Sequence, residues 1–573
     1  MDERVSRRRL LGTTAAGLGG LLAGCTGILS NGNGTDGDGD GKTDDWQYTP
    51  QPAGDGGNAG APLSGGSGGA GGDGGDAGGI GLSAGGAKDI ATFRRNVEEG
   101  YLPIPESLSY EGLFYDYYFE TGGGACERDF CPQYAPAVTA DPLSGETERY
   151  VTVGLDSGIA AADFERKQLN LVVVLDISGS MSSSFSDYYY DRYGNRRTPE
   201  GNTDRPKIDV AKDALVALTE QLREGDRLGI VLYDDRAALA KPLRPVEATD
   251  MDAIREHIRE DVQPRGGTDL SAGIQEATAQ LEEYAGADPT TYENRAVVVT
   301  DAMPNLGETS AGGLRGTLAD NAERGLHTTF VGVGVDFNAD LVDRITAIRG
   351  ANYYGVHSAE EFERRLGEEF KYMVTPLVFD LELALDAEGY DIRKVYGSTA
   401  AEEATGRITR VNTLFASPTS EGRARGGVVL VQLARRSDEA TLELTASWED
   451  RTGASDESTT TIEFPDAEPE QFDNSGVRKA VLLSRYADLL KNWMVAEREG
   501  DAPEADDGIA VPPEELGQWE QQSEPLTVSE PYPSRMREFR EYYRTEADRI
   551  GDDSLDQESE MLTTILDTAQ SGS

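Results

Sequence analysis

The sequence predicts an α/β protein in which a doubly wound, mostly parallel sheet is followed by a β-sandwich-like domain and a helical tail. Three observations predict it. Residues 168–370 alternate short apolar runs with amphipathic helical patterns, the signature of repeated βα units. Residues 374–466 alternate apolar and polar positions with turns between them, as antiparallel strands do. Residues 474–499 carry apolar side chains at helical spacing. The doubly wound part has the layout of a Rossmann-like sheet, whose ligands sit at the carboxyl ends of the strands.

Composition excludes several functions before any motif is read. The chain has 573 residues, enough for about three to four domains. Against 53 basic residues stand 103 acidic ones, leaving −50. Such a surface repels phosphates, so no nucleic-acid partner is expected. Only ten of the basic residues are Lys. An acid-rich, Lys-poor surface resembles that of proteins from salt-in halophiles, where concentrated salt screens self-repulsion. There are three His, at 257, 327 and 357, with no His-x-x-x-His pair, which disfavours zinc hydrolase chemistry. Three Cys are too few for a disulfide framework.

Residues 1–25 read as an export signal. Arg7-Arg8-Arg9 precedes an apolar stretch that ends in Leu22-Ala23-Gly24-Cys25. The arginines resemble a twin-arginine (Tat) signal, and the final four residues resemble a lipobox in which Cys25 is lipidated. The alternative is an uncleaved anchor helix. Either places the protein at the outer face of the cell membrane, and no later run of about 18 apolar residues suggests another span. Cys126 and Cys131 are five apart. Export favours a local disulfide between them over free thiols or half of a metal knuckle.

The remaining segments follow in order. Residues 26–87 are rich in Gly and Asp and read as a disordered tether. Within it, Asp36-Gly-Asp38-Gly-Asp40-Gly41 mimics the opening of a calcium loop, but position twelve is Gln47, which cannot supply the bidentate carboxylate. Residues 88–167 form an N-terminal packing region. Ile90, Phe93 and Val97 share one helical face, and an aromatic run extends from Tyr110 to Phe119. Residues 168–372 hold the βα units, with strands expected at 169–175, 227–233, 296–300 and 327–333. Helices are expected around Val210–Leu222 and over 251–260, 270–284, 314–324 and 339–348. Residues 373–468 form the β-sandwich-like domain. Residues 469–573 are a helical region with an acidic connector at 500–528.

The chemistry is concentrated after the first βα strand. There Asp176-Ile-Ser178-Gly-Ser180 sets one carboxylate and two hydroxyls at alternate positions, with Gly179 permitting a tight turn. These hard oxygen donors suit Mg²⁺. Gly266-Gly267-Thr268-Asp269 precedes a helix, and Thr300-Asp301 follows a strand. The series resembles the metal-ion-dependent adhesion site (MIDAS) of von Willebrand factor type A (VWA) domains, over about 168–370. The resemblance implies a metal held by Asp176, Ser178, Ser180, Thr268 and Asp301, with Mn²⁺ or Ca²⁺ able to replace Mg²⁺. Asp269 reads either as a further ligand or as a helix N-cap. The stretch 182–206 is longer than the usual link in this family and carries Tyr188–Tyr190, Tyr193, Arg196 and Arg197. It reads either as a recognition lid on the metal face or as a solvated loop. Ala302 stands where many relatives have Gly.

The whole arrangement is similar to exported prokaryotic VWA lipoproteins, some of them labelled calcium-activated chloride channel homologues. No pore-forming span accompanies it here. The resemblance implies a membrane-tethered binding module for adhesion or complex assembly. A protein partner would supply an acidic group to the metal's open position, with no catalytic residue and no small-molecule substrate. The alternatives are a metal-dependent hydrolase and a structural cell-surface protein with a vestigial metal site.

Overall fold

The computed structural model describes residues 41–50, 79–84, 90–122, 128–185, 189–190, 196–197, 205–301, 313–333, 344–356, 359–398, 401–465, 469–499 and 524–571. In chain order, β1 (Gly79–Ala84) is followed by helix α1 (Ala91–Glu98), β2 (Cys131–Ala140) and β3 (Thr147–Ala160). The βα region then runs β4 (Gln168–Asp176), α2 (Lys207–Glu220), β5 (Arg227–Tyr233), β6 (Ala237–Pro245), α3 (Met251–Glu260), α4 (Leu270–Leu281), β7 (Tyr292–Thr300), α5 (Leu314–Glu323), β8 (Leu326–Val333), β9 (Asn352–Val356) and α6 (Ala359–Leu366).

These six strands form one sheet in the order β6-β5-β4-β7-β8-β9. The sheet is mixed. Five strands are parallel, and β6 runs antiparallel to β5 at one edge because a short hairpin joins them. Alternation in β4 decides the layers. Leu169, Leu171, Val173 and Leu175 join α2, α3 and α6 in one core, while Val172 and Val174 join α4 and α5 in another. A strand buried on both faces reads as a near-continuous apolar run, and β4 does so from Leu171 to Leu175. The expected helices at 251–260 and 270–284 appear as α3 and as α4 with a 3₁₀ turn behind it. Half of the one expected at 339–348 lies outside the described residues, and 344–346 are helical.

The second sheet departs from expectation. Strands β10 (Pro376–Asp386), β11 (Tyr390–Tyr396), β12 (Arg407–Ser417), β13 (Val428–Arg435), β14 (Glu443–Glu449) and β15 (Ser455–Thr461) do not form a domain of their own. They interleave with the N-terminal strands in the order β11-β13-β3-β1-β12-β10-β14-β15, with β2 pairing β3 off this path. Every pairing is antiparallel. The segments expected as a packing region (88–167) and a β-sandwich-like domain (373–468) therefore share one sheet. Strand β1 also corrects the tether, since it lies inside 26–87 yet sits between β3 and β12. Its glycines have a steric role: a Cβ on Gly81 would lie 2.5 Å from the Ala424 Cβ. Cys131, at the start of β2, is disulfide-bonded. Cys126 and Cys25 lie outside the described residues.

A third layer holds α7 (Ser475–Glu499), α8 (Tyr532–Ile550) and α9 (Asp556–Ser571). They pack with the face of α1 that the sequence marks, Ile90, Phe93 and Val97, and with Leu113, Phe114, Tyr117 and Phe119 of the aromatic run. Glu558 is fully buried here and is paired with the Arg94 guanidinium and the Tyr117 hydroxyl. Among the described residues no helix is long and apolar enough to cross a membrane.

One further correction concerns Lys42–Pro50, also expected as tether. This segment straps the edge of the βα sheet. Thr43 N donates to Ala248 O at 3.0 Å, Asp250 N to Thr43 O at 2.9 Å, and Gln47 N to Ala240 O at 2.7 Å. Asp45 is buried against Lys241 Nζ at 3.3 Å. The Trp46 ring stacks on His257 with centroids 5.3 Å apart. Two aromatic side chains and a carboxylate with a buried cation to meet outweigh the flexibility of the glycines around them.

Candidate functional site

Strand β4 ends at Asp176, which is 0% exposed. Three donors fix its carboxylate. Ser178 N donates to Oδ1 at 2.8 Å, while the Thr300 and Tyr233 hydroxyls donate to Oδ2 at 2.7 and 3.0 Å. Those hydroxyls come from the ends of the two strands flanking β4. The carboxyl end of the sheet thus wraps one buried acid. Burial pushes the Asp176 carboxyl above its ordinary range, and the neighbouring charge of Asp301 adds to this. The Ser178 and Thr300 hydrogen bonds act the other way. Tyr233 is driven well above the usual phenol range by burial and by the Asp176 charge.

The chain of oxygens continues from there. The Ser178 and Ser180 hydroxyls are 2.9 Å apart, and Ser180 Oγ donates to Asp301 Oδ1 at 2.8 Å. On the other Asp301 oxygen, Lys207 Nζ donates to Oδ2 at 3.1 Å. The Gly266–Asp269 loop is zipped to this turn by its backbone. Arg265 N donates to Ile177 O at 2.6 Å, and Gly179 N to Gly266 O at 3.1 Å. Gly266 sits at φ +67°, and a Cβ there would meet the Asp235 carboxylate at 2.9 Å, so the close approach needs glycine. Thr268 is exposed on this loop. Asp269 accepts from Ala272 N at 3.0 Å, which makes it the N-cap of α4.

Of the five residues the sequence singles out, four lie in one hydrogen-bonded chain: Asp176, Ser178, Ser180 and Asp301. Thr268 is two residues from a backbone link to that chain. Ala302 lies outside the described residues, as does most of the 182–206 insert. Its ends are placed, however. Phe185 N donates to Arg205 O at 2.6 Å and Lys207 N to Ser183 O at 2.9 Å, so the insert leaves and returns beside Ser180. Between them Tyr189–Tyr190 pairs with Arg196–Arg197. Sequence reasoning missed Tyr233, Lys207 and Asp235. Lys207 carried a readable signal: a cation at the first residue of a helix opposes the helix dipole.

The donor set is two carboxylates and hydroxyls, with no soft ligand, and this composition fits a hard divalent cation. It differs in kind from carboxylate or imidazole clusters. Among the described residues no group of three or more His, Cys, Asp or Glu side chains is placed to hold a metal. His257 bonds to Asp261 and Asp44 at 2.7 and 3.1 Å, and His327 to Glu293 at 2.8 Å. His357 lies outside the described residues.

Residues 171–304, which span the whole candidate site, match the family model of the von Willebrand factor type A domain. The chain carries a VWA-fold domain. Across 306 residues it is 22% identical to the uncharacterised protein YfbK of Escherichia coli (strain K12), covering 52% of this chain and 48% of that one. It is 24% identical over 218 residues to inter-alpha-trypsin inhibitor heavy chain H1 of Mesocricetus auratus, covering 37% and 21%. The chain thus spans about half or less of the length of these curated relatives. Among solved structures, a von Willebrand factor type A protein from Catenulispora acidiphila matches at 15% identity and TM-score 0.37, covering 67% of this chain and 84% of that one. The ArnB paralog VWA2 from Sulfolobus acidocaldarius matches at 12% and 0.33, covering 77% and 98%.

Proposed function

We propose that this protein is a membrane-tethered, extracytoplasmic binding module whose VWA-fold domain grips an acidic side chain of a protein partner through a MIDAS-type Mg²⁺ site, with Mn²⁺ or Ca²⁺ as substitutes. One observation carries the reading: the oxygens of Asp176, Ser178, Ser180 and Asp301 converge in a single hydrogen-bonded chain at the carboxyl end of the sheet. Asp176, Ser178, Ser180, Thr268 and Asp301 would hold the cation. When bound, it would supply a positive, electrophilic centre with an open position for a carboxylate. The protein's own part is to hold these oxygens fixed. Strand β4 and the donors from Tyr233 and Thr300 do so for Asp176, and the zipped 265–266 backbone does so for the loop bearing Thr268.

Binding rather than turnover is supported by the surroundings of the serines. An activated serine needs a free base within hydrogen-bond reach, and the carboxylate that Ser180 meets, Asp301, is itself paired with Lys207. His257 and His327 are committed to carboxylates elsewhere. Export, lipidation at Cys25 and attachment to the outer membrane face belong to the same proposal and rest on the sequence of residues 1–25. The acid-rich composition supports a salt-rich setting.

The test is a pull-down from solubilised membranes with the full chain as bait in high salt, with Mg²⁺, with EDTA, and with Asp176→Ala in Mg²⁺. The expected result is a partner retained with Mg²⁺ and lost in the other two. The same partners in all three conditions would overturn the metal bridge.

A further inference from the structure

Lys207 belongs to the candidate site although no motif explains it. It opens α2, its side chain is 9% exposed, and its Nζ lies 3.1 Å from an Asp301 oxygen whose side chain is 1% exposed. Two penalties oppose it. A helix N-terminus is already positive, and a buried ammonium loses its hydration. Nothing in the packing of α2 requires it, because that helix is anchored by Val210, Ala211, Ala214, Leu215 and Leu218. Yet its position is keyed to the site. Lys207 N donates to Ser183 O, and Ser183 N and Oγ both donate to Ser180 O, at 2.9, 2.9 and 2.7 Å. The turn that carries Ser180 therefore also sets where Lys207 begins its helix. Asp301 divides its oxygens between the two, Oδ1 to Ser180 and Oδ2 to Lys207.

We propose that Lys207 is a resident cation of the metal site, a specificity-determining residue that neutralises Asp301 and sets the charge of the loaded centre. This rests on the reading that the site holds a divalent cation. Two carboxylates against a divalent cation sum to zero. With the Lys207 ammonium inside the same cluster the sum is +1. A neutral centre has no long-range pull on an acidic group, whereas a centre at +1 attracts one, and it does so beneath a surface that is otherwise strongly negative. The same ammonium repels the incoming divalent cation, so the site gives up metal affinity and gains selectivity for an anionic ligand.

The experiment is a Mn²⁺ titration of the full chain in high salt, with free Mn²⁺ read by electron paramagnetic resonance. The variants are Lys207→Met and Lys207→Gln, each checked by thermal melting. Met keeps the stem and Gln keeps a polar end, so a folded example of either decides the matter. The expected result is Mn²⁺ binding at least ~10-fold tighter than in the original chain, with Lys207→Arg close to it. Unchanged or weaker binding in a folded neutral variant overturns the role of Lys207 while leaving the metal site standing. Binding seen in a neutral variant but not in the original chain supports the role in a stronger form. No binding in any of them overturns both this inference and the proposed function.

Discussion

Asp176 shows how a single side chain is made ready by its neighbours. It is a buried acid whose Oδ2 takes two hydroxyl hydrogen bonds, and each of those hydroxyls ends a different neighbouring strand. Replacing Thr300 by Val keeps the shape of the side chain and removes one donor. The buried carboxylate should then be left under-solvated at a cost of about 1–2 kcal/mol. Denaturant unfolding of the full chain measures this, and a loss near zero would mean that Tyr233 alone suffices. At this scale the sequence is legible where the residues are close along the chain. Asp176, Ser178 and Ser180 occupy a five-residue turn, and Thr268 and Asp301 each end a recognisable segment. Tyr233 was not legible as a site residue, because a tyrosine closing an apolar strand has the pattern of core. Lys207 is separated from Ser180 by the long insert, and only the pairing of residues 183–185 with 205–207 brings it back.

At the scale of elements, the βα repeat was legible because each unit is local, with a short strand followed by an amphipathic helix. The antiparallel sheet was not. Its central strand β1 is a six-residue run, Gly-Ile-Gly-Leu-Ser-Ala, inside glycine-rich sequence, and it finds partners in residues 156–160 and 414–417. Strand β2 carries Pro132 and Pro136, which break the signal of a strand interior. The 42–50 strap was hidden by its surroundings, although Asp44-Asp45-Trp46-Gln47-Tyr48 breaks the small-residue composition on both sides. Its strength is testable. Lys241 Nζ is fully buried and bonds to the Leu228 and Pro242 carbonyls at 2.9 and 3.2 Å, so Asp45 supplies its charge partner. Asp45→Asn should destabilise the protein by ~2–4 kcal/mol by leaving that ammonium uncompensated. Chemical unfolding reads the change, and a variant as stable as the parent would show the strap to be ornamental. Tyr48 extends the same strap toward the Gly266–Asp269 loop, with the Arg265 guanidinium 5.5 Å from its ring and bonded at 2.6 Å to Asp234.

At the scale of the whole molecule, the two sheets meet through a buried ionic cluster. Glu293 accepts from Arg295 and His327 at 2.6 and 2.8 Å. Arg295 reaches Gly350 O at 3.0 Å and lies over the Phe415 ring of β12, while His327 faces Phe379 of β10. Burial alone would raise the Glu293 carboxyl, but the His327 and Arg295 charges outweigh it and hold the group at about 2, against an ordinary 4.5. A depressed acid stabilises the fold above its unfolded value, and that contribution is lost as pH falls from 4.5 toward 2. Stability should therefore decline through that window, and Glu293→Gln should flatten the decline. Urea unfolding at stepped pH tests this, and parallel curves for the two proteins would assign the acid sensitivity elsewhere. The strap has its own consequence at this scale, one of distance. If the whole of 26–87 were coil, an anchor at the proposed lipidated Cys25 would let the fold wander about 40–47 Å from the membrane. Docking from Lys42 onward leaves only residues 26–41 for that purpose, and a coil of that length would reach about 20–24 Å. On that proposal the leash would be about half as long as a wholly unstructured tether, and a partner would be met closer to the lipid surface.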